Sequence, residues 1–367
     1  MSAPAAPDPA AFRAQFPVLE RLAYLNAGTE GPIPRRAVEA VSRRVEEEAR
    51  DGRSGRAYIE AVMAIADQMR AAYAGVLGAG ADEVALTGST TDGVNTVIAG
   101  LDLRRGDEVL TSDEEHPGLL APLGRARARH GISVRVVPFD EVASSAGERT
   151  RLIACSHVSW VNGRVADVEA LVATGVPVLL DAAQALGAIP VDVHRLGVDY
   201  YACSGQKWLC GPEGSGCLYV RRDRLDELLV PWPGYGSVAD PPNALDFVPA
   251  QGTSRLDHGF PVPLRNVWAL AALEVFAEAG WKWVHERAAS LAERLAGRLA
   301  ERGLRVAPRG RSTLVSWSVG DGPAVVERLA AEGVVVRSIP GWSYIRASLG
   351  AWSTDEEVER LAELAAA

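Results

Sequence analysis

Lys207 stands beside Trp208 in the glycine-rich stretch Ser204-Gly-Gln-Lys-Trp-Leu-Cys-Gly-Pro-Glu-Gly-Ser-Gly216, directly after the apolar run Tyr200-Tyr-Ala-Cys203. A lysine held partly out of water has a lowered pKa, and its free amine can add to a carbonyl carbon as a Schiff base. The ordinary alternative for a single lysine is a solvated surface charge. Two upstream segments weigh against that alternative. Asp181 follows the apolar run Val176–Leu180 and opens Asp-Ala-Ala-Gln184. A carboxylate at the carboxyl end of a strand can cap a helix, hold a cation or pair with a protonated ring nitrogen. Thr87-Gly-Ser-Thr-Thr-Asp-Gly-Val-Asn95 leads from a strand straight into a helical pattern. Its hydroxyls and free N–H groups suit an anion, and equally suit helix capping by Thr90 or Thr91. Lysine, acid and turn all fall at strand carboxyl ends, where open α/β sheets bind ligands.

The elements that must position these residues alternate from about Arg35 to Asp199. Val62, Met63, Ala66, Met69, Tyr73 and Val76 recur at helical spacing, as do Val94, Val97, Ile98 and Leu101. Short apolar strands are expected at Val84–Thr87, Glu108–Thr111, Val134–Val137, Leu152–Cys155 and Val176–Leu180. Buried strands separated by amphipathic helices predict an α/β fold, a doubly wound, mostly parallel sheet covered on both faces. Pro231–Pro263 is rich in Pro and Gly and reads as a loop region or domain junction. Two helices (Leu264–Ala279, Lys282–Arg302), two strands (Leu314–Val319, Val334–Arg337) and a helix from Asp355 follow, as a small C-terminal α+β domain. The expected division is 1–25 as an N-terminal segment joining the small domain, 26–252 as the large domain and 253–367 as the small one.

The totals narrow the function. With 367 residues, the chain is too long for one ordinary core. It carries 38 basic against 47 acidic residues, a net charge of −9, and no basic block, so neither nucleic acid nor an anionic membrane is an expected partner. No apolar run approaches a membrane span. Met1–Ala10 is Pro/Ala-rich without a basic or apolar leader pattern, which reads as a flexible tail and a cytoplasmic protein. Cys155, Cys203, Cys210 and Cys217 lack paired metal spacing and read as buried free thiols.

Leu180-Asp-Ala-Ala-Gln-Ala-Leu-Gly-Ala-Ile-Pro-Val-Asp192, followed by Asp199-Tyr-Tyr-Ala-Cys-Ser-Gly-Gln-Lys-Trp208, resembles the class V aminotransferase-like enzymes of pyridoxal 5′-phosphate (PLP) fold type I. The likeness extends to Tyr24-Leu-Asn-Ala-Gly-Thr-Glu-Gly-Pro32, Glu115-His-Pro-Gly118 and Arg346-Ala-Ser348, and so spans nearly the whole chain. The resemblance implies that Lys207 carries PLP and moves the Cα proton of an amino-acid substrate. It implies Asp181 on the pyridine nitrogen, Gln184 on the ring's 3′-oxygen and His116 stacked on the ring face. Thr90, Thr91, Ser204 and Gln206 would hold the phosphate, and Arg346 would grip the substrate carboxylate with Asn26 and Trp160 beside it. It also implies a homodimer. Three positions depart from the family: Gln206 where His is common, Trp160 where Asn is common, and Phe260 where a Thr often reaches the partner subunit's phosphate.

Cysteine desulfurases of this family carry a nucleophilic cysteine just before Arg-x-Ser. Here Val336-Arg-Ser-Ile-Pro-Gly-Trp-Ser-Tyr-Ile-Arg346 is short and has no cysteine, nor does anything after Cys217. The chain therefore looks most like the L-cysteine/cystine C–S lyase branch, which eliminates sulfur from Cβ to leave pyruvate and ammonia. The substrate implied is cystine, cysteine or an S-substituted cysteine conjugate. An aminotransferase or epimerase is the alternative enzyme, because all three share one carbanion. A binding protein without catalysis would more naturally have lost Lys207 or Asp181.

Overall fold

The structure is a computed structural model that describes residues 7–366. Its strands are β1 (Ala23–Tyr24), β2 (Val84–Thr87), β3 (Glu108–Ser112), β4 (Ser133–Val137), β5 (Thr150–Ser156) and β6 (Val178–Asp181). After these come β7 (Tyr200–Ser204), β8 (Gly216–Val220), β9 (Leu314–Ser318), β10 (Val334–Val335), β11 (Arg337–Ser338) and β12 (Tyr344–Ser348). Seven of them form one sheet in the order β2-β8-β7-β6-β5-β3-β4. Only β8 runs against its neighbours in this sheet, and the remaining pairs are parallel.

Successive strand side chains point to opposite faces, and here both faces are apolar. Leu179, Tyr200, Ala202 and Leu218 pack with Val94, Val97, Leu119 and Leu123 of the helices Thr90–Gly100 and Pro117–His130. Val178, Leu180, Tyr201 and Tyr219 pack the other way, with Met69, Tyr73 and Leu77 of Gly55–Leu77 and Phe276 of Pro263–Ala279. Each such buried side chain contributes roughly 1.5–3 kcal/mol, and the two cores clamp the sheet that carries Asp181 and Ser204. The sheet is thus mainly parallel and doubly wound, as the alternating pattern predicts.

A three-stranded antiparallel sheet, β11-β12-β9, packs against Leu291, Leu295 and Leu299 of the helix Trp281–Glu301. β1 pairs in parallel with β10, and Ala23 and Leu25 join the same apolar cluster. No helix of the described residues is long and apolar enough to cross a membrane.

Three local expectations need correction. Val334–Arg337 is not one strand: the chain changes partner at Val336, so that β10 serves β1 and β11 serves β12. The cap of Thr90–Gly100 is Ser89, whose Oγ accepts from Asp92 N–H at 3.1 Å, which leaves the Thr90 and Thr91 side chains free for other partners. Residues 1–6 of the expected tail lie outside the described residues, but Pro9–Arg13 is helical, capped by Asp8 and anchored by the buried Phe12.

Candidate active site

The turn that presents Lys207 is held by Gly205 N–H donating to Ser215 O (2.8 Å) and Gly211 N–H donating to Gly205 O (2.9 Å). The N-terminal segment lies directly on this turn. Gly31 N–H donates to Gln206 O at 2.7 Å, and a Cβ on Gly31 would stand 2.1 Å from Lys207 O, so only glycine permits the approach. That contact carries Gly28, Thr29 and Glu30 into the wall of a cavity of about 240 Å³ whose floor includes Lys207. Burial pushes the Lys207 amine down to about 8; Asp181 and Glu30 oppose that shift, while Arg346 and Arg337 reinforce it.

Asp181 ends β6 and is buried, with Oδ1 accepting from Ala183 N–H at 2.9 Å. Burial raises its pKa against the help of that N–H and of Lys207, and its carboxylate forms no ion pair among the described residues. Behind it, Glu115 accepts from Ser156 N–H (3.0 Å) and Ser156 Oγ (2.6 Å), and burial lifts its pKa to about 7. Gln184 donates from Nε2 to Gly28 O at 2.8 Å and accepts at Oε1 from Trp208 Nε1 at 3.1 Å. An indole N–H only donates and a carbonyl only accepts, so the amide has one orientation, with one Nε2 proton left over.

At the N-terminus of Thr90–Gly100, Thr90 and Ser204 join: Oγ1 to Oγ is 2.7 Å, and Thr90 N–H donates to Ser204 Oγ at 3.1 Å. Ser89, Thr91 and Gln206 line the cavity with them. Hydroxyls around a helix N-terminus are an anion site.

The opposite wall comes from the three-stranded sheet. Arg346 of β12 is 1% exposed; its Nη1 donates to Trp160 O at 2.6 Å, while Nε and Nη2 have no partner among the described residues. Arg337 of β11 stands directly opposite it across the strand pair and reaches Thr29 Oγ1 at 3.1 Å. Like charges in register repel. Burial and the Arg337 charge push the Arg346 guanidinium down to about 9. Two facing guanidiniums without a carboxylate partner call for an anionic ligand. Trp160 packs edge-on against His116 (4.9 Å, 87°), and His116 caps Pro117–His130 through Nδ1, which accepts from Gly118 N–H. Desolvation first, then the charges of Lys207, Arg337 and Arg346, push the His116 imidazole down to about 4, although part of the residue is exposed.

Of the residues anticipated from sequence, Lys207, Asp181, His116, Thr90, Thr91, Gln184, Ser204, Gln206, Arg346 and Trp160 all line this cavity. Asn26 does not: its Oδ1 accepts from Thr29 Oγ1 at 2.9 Å and so supports the wall from behind. Phe260 is 54% exposed and lies outside the lining. Ser89, Thr29 and Glu30 also line it and fall inside the Thr87–Asn95 and Tyr24–Pro32 motifs, and Arg337 carries no local signal because its partnership with Arg346 is one of strand register. All four cysteines are buried and free, and none lines the cavity.

The aminotransferase class-V family matches residues 23–361. A probable cysteine desulfurase of Methanothermobacter thermautotrophicus is 34% identical over 241 residues, which cover 62% of this chain and 60% of that protein. Isopenicillin N epimerase of Streptomyces clavuligerus is 30% identical over 92% of this chain and 93% of that one. Two structures of C-DES superpose with a TM-score of 0.90 at 29% identity, covering 98% and 96% of this chain and 99% of theirs. One has glycine covalently linked to the PLP cofactor. The other is a complex of the cystine C–S lyase with its reaction product cysteine persulfide.

Proposed function

The chain belongs to the aminotransferase class-V family, and on that premise we propose that it is a PLP-dependent C–S lyase acting by β-elimination on cystine, cysteine or an S-substituted cysteine. The products are pyruvate, ammonia and a sulfur compound. The observation that carries this reading is the buried Arg346, with Nε and Nη2 unpaired among the described residues and facing a lysine of depressed pKa across one small cavity.

The residues present fit PLP. Asp181 forms no ion pair among the described residues, Gln184 retains one N–H, and Ser89, Thr90, Thr91, Ser204 and Gln206 surround a helix N-terminus. Asp181 would hold the pyridine nitrogen, Gln184 the 3′-oxygen, and the hydroxyl group the phosphate. When bound, PLP supplies an electrophilic carbon for the substrate amine and an electron sink for charge left at Cα.

The chain's own groups do the rest. Arg346 orients the substrate by two charge-assisted bonds to its carboxylate, which also satisfy its unpaired donors. Lys207 takes the Cα proton and, once protonated, can give a proton to the sulfur as it leaves Cβ; burial keeps its free amine near neutrality in pKa, where a general base is effective. His116 would cover the ring face, and the buried Trp160 holds its imidazole edge-on at 4.9 Å. No thiol lines the cavity, and burial raises the Cys155, Cys203 and Cys210 thiols, so sulfur leaves to solution rather than to a protein thiolate.

The similarity to isopenicillin N epimerase keeps Cα inversion, and with it amino transfer, as the second reading. Incubation of the PLP-loaded protein with cystine, with cysteine conjugates, and with alanine plus a keto acid separates them. Pyruvate and ammonia in equal amounts from the sulfur substrates support the lyase. Inversion or amino transfer without pyruvate assigns the other chemistry. A homodimer is part of this proposal, supported by the exposed Trp232, Tyr235, Leu245, Phe247 and Phe260 in the loop region. A cytoplasmic home is supported by four unpaired cysteines.

A further inference from the structure

Glu115 is buried beside Asp181 and has no part in the reading above, which this inference rests on and deepens. Its carboxyl lies behind the cavity and is not in the lining. Ser156 joins the two acids. Its N–H and Oγ meet the Glu115 carboxyl at 3.0 and 2.6 Å, and it is the registered neighbour of Asp181 across β5 and β6. Registered side chains on adjacent strands share a sheet face, so the Glu115 carboxyl sits on the face that carries Asp181. Beyond Asp181, the titratable groups around it are the Cys155 thiol of β5 and, in its own chain segment, Glu114 and His116. Glu115 forms no ion pair among the described residues.

The two oxygens of Glu115 are not equivalent. Oε1 meets two donors, Ser156 N–H and the Ser112 hydroxyl. The Ser112 oxygen already accepts from Glu114 N–H at 3.2 Å, which leaves its proton for Oε1. Oε2 meets only the Ser156 hydroxyl, a group that donates or accepts with equal ease. This is the pattern of a neutral acid, with Oε1 as the carbonyl and Oε2 as the hydroxyl donating to Ser156 Oγ.

Two adjacent buried carboxylates without a cation between them do not both ionise readily. Asp181 has the stronger claim to the charge, because it faces Lys207 and the cavity, whereas Glu115 faces neutral groups and Asp181 itself. Burial, with the Asp181 charge, holds the Glu115 carboxyl up to about 7. We propose that Glu115 and Asp181 hold one proton between them, carried on Glu115 Oε2, so that Asp181 is the single anion facing the ring nitrogen. Glu115 is thus a positioning residue for the charge on which the electron sink depends.

Glu115→Gln copies the neutral acid, since Oε1 is unchanged and Nε2 can donate to Ser156 Oγ. PLP-loaded Glu115→Gln should keep the wild-type cofactor absorbance at pH 6; a shifted band would show that position 115 works as an anion and would overturn the proposal. The pH dependence of unfolding by denaturant separates a held proton from a merely structural tie. The folded protein keeps a proton that an unfolded glutamate releases near 4.5, so the stability present below that pH is lost as pH rises through about 7. From pH 5 to pH 8 the wild-type folding constant should fall roughly 100-fold more than that of Glu115→Gln. With Asp181→Asn in both backgrounds that excess should shrink, because the neighbouring charge is gone. Equal pH dependence of wild type and Glu115→Gln, or an excess that Asp181→Asn leaves unchanged, would refute the shared proton. The infrared spectrum of the wild type at pH 6 should also contain a buried carboxylic-acid carbonyl stretch, and its absence would overturn the proposal even if Glu115→Gln failed to fold. None of these measurements follows pyruvate, so they stand apart from the lyase reading, whose failure would appear as absence of pyruvate from cystine.

Discussion

Trp208 Nε1 donates to Gln184 Oε1 at 3.1 Å, and with the Nε2 bond to Gly28 O it decides which way the Gln184 amide faces. Trp208 is the neighbour of Lys207 and is buried, so the lysine turn and the Asp-Ala-Ala-Gln segment are locked to each other. Trp208→Phe keeps an aromatic ring at this place but removes one of the two bonds that orient the amide. The expected result is PLP binding weakened about tenfold, the value of one net hydrogen bond of about 1.4 kcal/mol, with a shifted cofactor absorbance. An unchanged spectrum and affinity would show that Gly28 O alone orients the amide.

Lys207→Ala should remove the borohydride-reducible link to the cofactor and abolish turnover. Asp181→Ala should still bind PLP but lose roughly two or more powers of ten in rate, since the ring nitrogen loses its acid partner. Near-normal turnover of the Asp181 variant, measured as pyruvate release, would take that carboxylate out of the chemistry.

Arg346→Met separates function from stability. The buried guanidinium has two donor groups unpaired among the described residues and faces Arg337, so the unliganded protein carries an uncompensated charge. An apolar side chain of similar length should raise the melting temperature of the substrate-free protein, by an amount corresponding to about 1–3 kcal/mol. The same change should raise KM for the sulfur substrate roughly 100-fold, the worth of two charge-assisted bonds. A lower melting temperature together with unchanged KM would assign carboxylate binding to Arg337 instead.

Replacing Cys155, Cys203, Cys210 and Cys217 by Ser or Ala should leave C–S cleavage largely intact. All four are buried in the sheet or the lysine turn, and none reaches the cavity. Lost packing of about 1 kcal/mol per site is the expected cost, so unfolding is followed beside activity. A folded, PLP-loaded variant that releases no sulfur would bring back a mechanism through a protein thiol.

His285 gives the protein a definite acid sensitivity. It is buried against Trp281 (5.6 Å, 29°), its Nε2 has no partner, and burial holds its pKa down to about 4. In the unfolded chain an ordinary imidazole near 6.5 takes the proton that the folded state refuses, so stability falls as pH drops from 6.5 to 4. The wild type should lose about 3 kcal/mol more than His285→Phe between pH 7 and pH 4, at 1.36 kcal/mol per pKa unit. Denaturant titrations at the two pH values measure the difference, and equal losses would refute it.

The sequence by itself determined the features that are written locally. Apolar strands such as Val84–Thr87 have one natural period, and a sheet buried on both faces follows from their alternation with helices. Lys207 and Asp181 are legible because each ends such a strand, and strand ends are where this kind of sheet opens. Tertiary structure alone decided the rest. Ser89 takes the cap because its backbone is extended while Thr90 is already helical, and neighbouring hydroxyls cannot be ranked by type. Arg337 faces Arg346 only through the register of β11 on β12, and Val334–Arg337 divides because β1 claims its first half. Glu30 reaches the cavity because Gly31 lies on the backbone of the lysine turn, a contact between segments far apart in the chain. A local pattern states what a residue prefers; which charge is left without a partner depends on packing between distant segments.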